Sequence, residues 1–187
     1  MKTAAALPGS LGPVRQLGYV VKDLDQAVDA WTRQLGLGPW LFFRNVPLHS
    51  VFRGQPSTPV IDLALSYRGD MQIELIQQRN DAASPYLADI RAGRYGLHHT
   101  AFLCEDIEGD VRRAEEQGLK VACDIRMPAG GRYVYLQSPD LGEHLYIELL
   151  EATEQFRGMF AQGVAAAAAW DGKGENTVID FAQLGQG

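Results

Sequence analysis

The chain has 187 residues, 46% of them apolar and 21% charged, which suits one ordinary globular unit or two small ones sharing a core. Its formal charge of -6, with no long Lys/Arg run, argues against nucleic-acid and anionic-membrane surfaces as partners. The opening "MKTAAALPGS" is too short in apolar residues for a secretory leader, and "VAAAAAW" is too short to span a bilayer, so a cytoplasmic location is expected.

In chain order, Met1 to Gly12 reads as a loose arm. "QLGYVVKDLDQAV", from Gln16, is a short apolar strand followed by a capping Asp23 and apolar residues at helical spacing: Leu24, Ala27, Val28, Trp31 and Leu35. Turn signals at "GLGP", "RGQPSTP" and "RGD" then mark off strands at roughly Trp40 to Asn45 and Val60 to Tyr67, before a closing strand "MQIELIQ". "SPYLADIRAG" reads as a linker helix with Ser84 as cap and Pro85 at its first position. "HTAFLCEDIEGDV", from His99, lies without a gap over the stretch from Gln16, so that Asp23 falls on Asp106. The second copy offers strands at roughly Lys120 to Arg126 and Arg132 to Gln137, and closes with "LYIELLE". The repeat unit is therefore β-α-β-β-β, used twice: residues 14–80 form the first module, 81–96 the linker helix and 97–151 the second module. Residues 152–187 form an appended helix, weakened at Gly158 and Gly163, and a partly ordered tail. Cys104 and Cys123 sit on apolar runs without C-x-x-C spacing and read as buried reduced thiols.

Side chains alternate across a strand, so Gln16 shares a face with Gly18 and Val20, and repeat register puts His99 on the equivalent face. His98 then falls on the opposite face with Thr100 and Phe102, where its loss would leave a ligand site intact. Glu74 and Glu148 occupy equivalent positions on the two closing strands. If the modules pair about a pseudo-twofold axis, Gln16, Glu74, His99 and Glu148 point into one shallow cavity as a four-ligand metal site. A lone buried carboxylate costs several kcal/mol or is neutralised, so two at equivalent positions call for a shared cation. Gln16 is the weakest ligand of the set and equally suits a hydrogen bond to substrate. His144, Tyr146, Trp40, Phe42 and Arg132 are candidate substrate contacts. His49, in a Pro-bounded loop, is expected at the solvent or in a lid.

Over about Val14 to Glu151, "GLHHTAF", "IELI", "IELL" and "SPDLGEHLYIELLE" resemble the vicinal oxygen chelate superfamily, which includes glyoxalase I, methylmalonyl-CoA epimerase, extradiol dioxygenases and drug-resistance binding proteins. The resemblance implies an α+β fold in which two tandem βαβββ modules form a cupped mixed sheet, with ligands on the first and last strand of each module. Gln16, Glu74, His99 and Glu148 resemble the glyoxalase I quartet. Gln16 stands where an extradiol dioxygenase needs a second histidine. The implied activity is a metal-dependent lyase or isomerase of glyoxalase I or epimerase type, in which Glu148 abstracts a proton α to a carbonyl, Glu74 returns it, and a divalent ion stabilises the enediolate or enolate. Zinc comes first by family analogy, with nickel, cobalt, manganese or iron as alternatives. The rival functions are a non-catalytic small-molecule binding protein of the same fold, and a divergent metal enzyme such as a ring-cleaving dioxygenase of aromatic or steroid degradation. A small oxygenated or carbonyl substrate and a second copy of the chain, as a homodimer, are the expected partners.

Overall fold

A computed structural model of the chain describes residues 11–127, 130–142 and 144–184. Most of the arm expected at Met1 to Gly12 lies outside those residues. β1 (Val14–Val20) runs into Asp23, whose carboxylate accepts from the Gln26 backbone N–H and opens α1 (Leu24–Leu35). Gly36, at φ 62, ends that helix in the left-handed conformation that glycine adopts without strain. There follow β2 (Leu41–Pro47), a hairpin of β3 (Ser50–Phe52) and β4 (Gln55–Ser57), then β5 (Val60–Arg68) and β6 (Met71–Gln78). The linker holds α2 (Leu87–Arg91), started by the Ser84 hydroxyl, which accepts from the backbone N–H groups of Tyr86 and Leu87.

The second half repeats the first. β7 (Gly96–Cys104) leads through Asp106, capping Gly109 N–H, into α3 (Ile107–Glu116). β8 (Lys120–Arg126), β9 (Arg132–Gln137) and β10 (Tyr146–Glu151) complete the unit. Thr153 caps α4 (Glu154–Ala169), and β11 (Thr177–Asp180) and α5 (Phe181–Leu184) follow it.

The eleven strands of the described residues form one sheet in the order β11-β2-β5-β6-β1-β7-β10-β9-β8-β3-β4. Within each unit the first and last strands pair in parallel, β1 with β6 and β7 with β10, while the two first strands pair antiparallel at the centre. This arrangement relates the units by a pseudo-twofold axis between β1 and β7. Only Leu48 and His49 separate β2, near one end of the sheet, from β3, which pairs with β8 near the other. The sheet must therefore curl until its ends approach.

Curling gives it two unlike faces. On the outer face, α1 buries Leu24 and Val28 against Ala64, Ile73 and Leu75, and α3 buries Ile107, Val111 and Ala114 against Val134, Leu136 and Leu149. Burying each of these large apolar side chains contributes about 1.5–3 kcal/mol. The inner face holds Val20, Val46, Ile61, Ile76, Cys123, Tyr135 and Tyr146. Across one end of this cup lies α4, whose Phe156 joins Ala101 and Leu150, and whose Phe160 meets Tyr67 edge-on at 5.1 Å. Cys104 belongs to the outer cluster and Cys123 to the inner one; both are buried, free thiols.

Trp40 and Phe42 are not cup walls. Both pack beneath α1, and the Trp40 indole N–H donates to the Thr32 hydroxyl and the Leu37 carbonyl on that outer side. In a sheet with apolar cores on both faces, an aromatic residue fits either one, and the sequence did not distinguish them.

Candidate metal centre

The four strands at the centre of the sheet each deliver one polar side chain to the inside of the cup: Gln16 from β1, Glu74 from β6, His99 from β7 and Glu148 from β10. In the register, Gly18 stands opposite His99 and beside Glu74. The imidazole lies over Gly18, where a Cβ would fall 1.9 Å from its Cε1. Glycine at position 18 is what lets the ring lie at the pseudo-twofold axis. His99 Nε2 is 3.1 Å from Glu148 Oε2, 3.2 Å from Gln16 Oε1 and 3.3 Å from Glu74 Oε2. Glu74, His99 and Glu148 each offer a ligand atom, all within 4.8 Å of one another.

Three oxygens thus converge on one nitrogen, which carries one proton at most. His99 is fully buried, and Gln16 and Glu148 are each only 4% exposed. Glu148 Oε2 is buried with no hydrogen bond aligned on it. An orphaned carboxylate oxygen in such a site leaves a deficit of positive charge and of donors, and a divalent cation would meet both. One imidazole, two carboxylates and an amide oxygen are a donor set for zinc and its first-row neighbours. Burial by itself would pull the His99 pKa down, but the negative charges of Glu148 and Glu74, 3.1 and 3.3 Å from Nε2, outweigh it and hold the imidazole up at about 9. Glu74 is also pushed up, chiefly by burial and further by the charge of Glu148, against the pull of His99.

A second layer orients the ligands. The Gln16 side-chain NH₂ donates to Gln72 Oε1 at 2.7 Å, and the Gln72 NH₂ donates to the Tyr67 hydroxyl, so the Gln16 carbonyl oxygen is the atom turned toward His99. His98 departs from the strand-parity expectation. The pairing runs Gly18 to His99 and then Tyr19 to Leu97, so His98 is the unpaired residue of a β-bulge, and strict alternation breaks there. The bulge turns its ring in among Tyr86, Tyr135 and Tyr146, stacked on Tyr146 at 4.9 Å, instead of behind the sheet. Its Nδ1 lies 3.1 Å from His99 Nδ1 and its Nε2 3.3 Å from the Pro85 carbonyl. Burial, reinforced by the charge of His99, lowers its pKa to about 3.

Among the candidate substrate contacts, only Tyr146 lies in the cup. His144 precedes β10 in an exposed turn and pairs with Asp89 at 3.3 Å, so it does not share the strand face of Glu148. Arg132 alternates with Val134 and Leu136 on the outer side, where it is paired with Asp124 at 2.7 Å and Glu108 at 2.8 Å and is not available to an anionic substrate. His49 is exposed, in the short link between β2 and β3. Residues not singled out in the sequence also build the site: Gly18, Gln72, Tyr67, and the Tyr86–Tyr135 pair, whose hydroxyls meet at 2.8 Å. Gly18 and Gln72 carried a signal, since each lies two residues from a ligand on the same strand face.

A cupped sheet of two repeated units with ligand residues on their first and last strands defines the vicinal oxygen chelate class of folds. The sequence over residues 15–136 matches the Glyoxalase/Bleomycin resistance protein/Dioxygenase superfamily, and the chain belongs to that family. Similar solved structures include hypothetical protein BH1468 from Bacillus halodurans C-125, at 19% identity and TM-score 0.56 over 76% of this chain and 96% of that one. Methylmalonyl-CoA epimerase from Mycobacterium tuberculosis is also similar, at 19% identity and TM-score 0.54 over 79% of this chain and 93% of that one. Among curated proteins, none matches the sequence.

Proposed function

We propose that this protein is a metal-dependent isomerase or lyase that transfers a proton at a carbon next to a carbonyl of a small oxygenated substrate. The observation that carries the reading is the buried Glu148 oxygen that lacks a hydrogen bond, set 3.1 Å from an imidazole that a second buried carboxylate also approaches. Gln16, Glu74, His99 and Glu148 would hold the ion. When bound, the ion acts as a Lewis acid that polarises the substrate carbonyl and makes the adjacent C–H more acidic. Glu148 Oε2, on which no hydrogen bond is aligned, is placed to accept the proton, and Glu74, delivered from the other half of the sheet, to return it. The tyrosines 86, 135 and 146 wall the cup and keep water from the carboxylates, which strengthens every charge interaction there. Zinc is the first choice of metal on the family likeness. The epimerase among the structural neighbours supports proton transfer as the reaction type, while the donor set with one histidine speaks against ring cleavage.

The test begins with metal content. Purified chelator-free protein should bind about one divalent ion per chain, and Glu148→Gln and His99→Ala should each lower uptake sharply. Zinc-loaded protein is then incubated in deuterated water with a panel of 2-substituted thioesters and α-hydroxy carbonyl compounds, methylmalonyl-CoA among them. Deuterium should enter the carbon α to the carbonyl of at least one of them, and Glu148→Gln should slow that entry about 10²–10⁴-fold. No metal uptake would leave a binding protein as the better reading. Oxygen consumption stoichiometric with product would replace proton transfer with ring cleavage.

A further inference from the structure

The geometry points to His98 as a positioning residue: acting from the Pro85 backbone carbonyl, it holds His99 Nδ1 as a donor and so fixes Nε2 as the ring nitrogen turned to the carboxylates and left for an ion. The inference rests on the metal-centre reading above and deepens it. A carbonyl oxygen can only accept, so the nitrogen that bonds Pro85, His98 Nε2, carries hydrogen. The two Nδ1 atoms, 3.1 Å apart, must then divide the roles of donor and acceptor. The ring of His98 is walled by Tyr86, Tyr135 and Tyr146, and among the described residues no carboxylate pairs with it, so nothing there holds a second proton. Its Nδ1 is therefore the acceptor. His99 thus donates from Nδ1 and keeps Nε2 aimed at Gln16, Glu74 and Glu148, the nitrogen from which a bound ion would displace the proton.

The bulge makes the contact possible. On a regular strand, adjacent side chains point to opposite faces, and two neighbouring imidazoles could not meet ring nitrogen to ring nitrogen. Pro85 adds a second fixed point, because it precedes the buried Tyr86 whose hydroxyl is tied to Tyr135. Linker, bulge and ligand thus form one hydrogen-bonded line: Pro85 carbonyl, His98, His99.

Two measurements decide the matter. Long-range ¹H–¹⁵N spectra of the full-length, ¹⁵N-labelled wild-type chain, metal-free and with one equivalent of Zn²⁺, should show His98 protonated on Nε2 alone and His99 protonated on Nδ1 in both states. A proton on His98 Nδ1 overturns the inference. Chelator competition then measures Zn²⁺ affinity: His98→Leu, which fills space without an acceptor, should bind about 10–100-fold more weakly. His98→Asn, whose side-chain oxygen falls near the place of Nδ1, should recover to within a few-fold of wild type. Wild-type affinity in His98→Leu, or an equal loss in both variants, would show that the ring only fills space. Should either variant fail to fold, the wild-type spectra decide alone. A wild-type chain that takes up no Zn²⁺ removes the metal-centre reading, and the metal-free spectra then still decide the role of His98.

Discussion

Gly18 shows how a missing side chain can define a site. Every atom of the His99 ring near β1 occupies space that a Cβ at position 18 would claim, the nearest at 1.9 Å. Neither partner can yield easily, since Gly18 is in the central strand and His99 is held at Nδ1 by His98. Gly18→Ala should therefore expel the imidazole from its place between Glu74 and Glu148. Zinc uptake measured by chelator competition should fall by at least 10-fold, as for loss of an orienting group or a ligand, while circular dichroism retains the β-sheet signal. Unchanged zinc affinity in folded Gly18→Ala would mean that the ring has another way to reach the ion. The residues with sequence-visible roles, Gln16, Glu74, His99 and Glu148, were legible because the repeat supplies each with a counterpart. His98 was not, because its bulge depends on pairing with β1, and no local pattern in "GLHHTAF" announces it.

At the scale of elements, α4 is joined to the site through one close approach. A Cβ on Gly163 would lie 2.0 Å from Tyr67 Cε2, and Tyr67 is the buried end of the Tyr67–Gln72–Gln16 chain. Two effects oppose each other on substitution. Alanine gains up to about 1 kcal/mol over glycine in a helix interior, but forcing a methyl group into a packed contact costs about 1–3 kcal/mol. Gly163→Ala should thus be net destabilising, whereas Gly158→Ala, on the same helix with nothing near its Cβ, should show the gain alone. With about 2–4 °C per kcal/mol for a chain of this size, thermal melts should separate the two variants by several degrees in opposite directions from wild type. Equal shifts would mean that α4 does not bear on Tyr67. The appended helix itself was legible from its composition, and strands β8 and β9 fall where the turn signals put them. The β3–β4 hairpin was read as a turn, because two three-residue strands around Pro56 show no alternation to detect. β11 was legible only as a partly ordered tail, since its strand conformation comes from the free edge of β2.

For the whole molecule, the quartet lies where the two units meet, so its charge balance bears on the stability of the entire sheet. Among the described residues, no helix is long and apolar enough to cross a membrane. In the metal-free chain the folded His99 pKa, about 9, stands above the ordinary value of 6.5. The native state therefore binds the His99 proton more tightly than the unfolded chain does. That stabilisation is complete below pH 6.5 and is lost as pH rises through about 9. Glu74, raised by burial, works in the same direction above its ordinary carboxylate range. In a chelating buffer the melting temperature should consequently fall between pH 6.5 and 9. Glu148→Gln, which removes a charge that holds the His99 proton, should flatten this slope. Zinc reverses the sign, because an ion that replaces the Nε2 proton binds better where that proton is more easily lost, and whatever binds only the native state stabilises it. The gain in melting temperature on adding zinc should thus be larger at pH 8.5 than at pH 6.5. A metal-free melting temperature that is level across this range, or a zinc effect independent of pH, would show that His99 does not hold the site's proton.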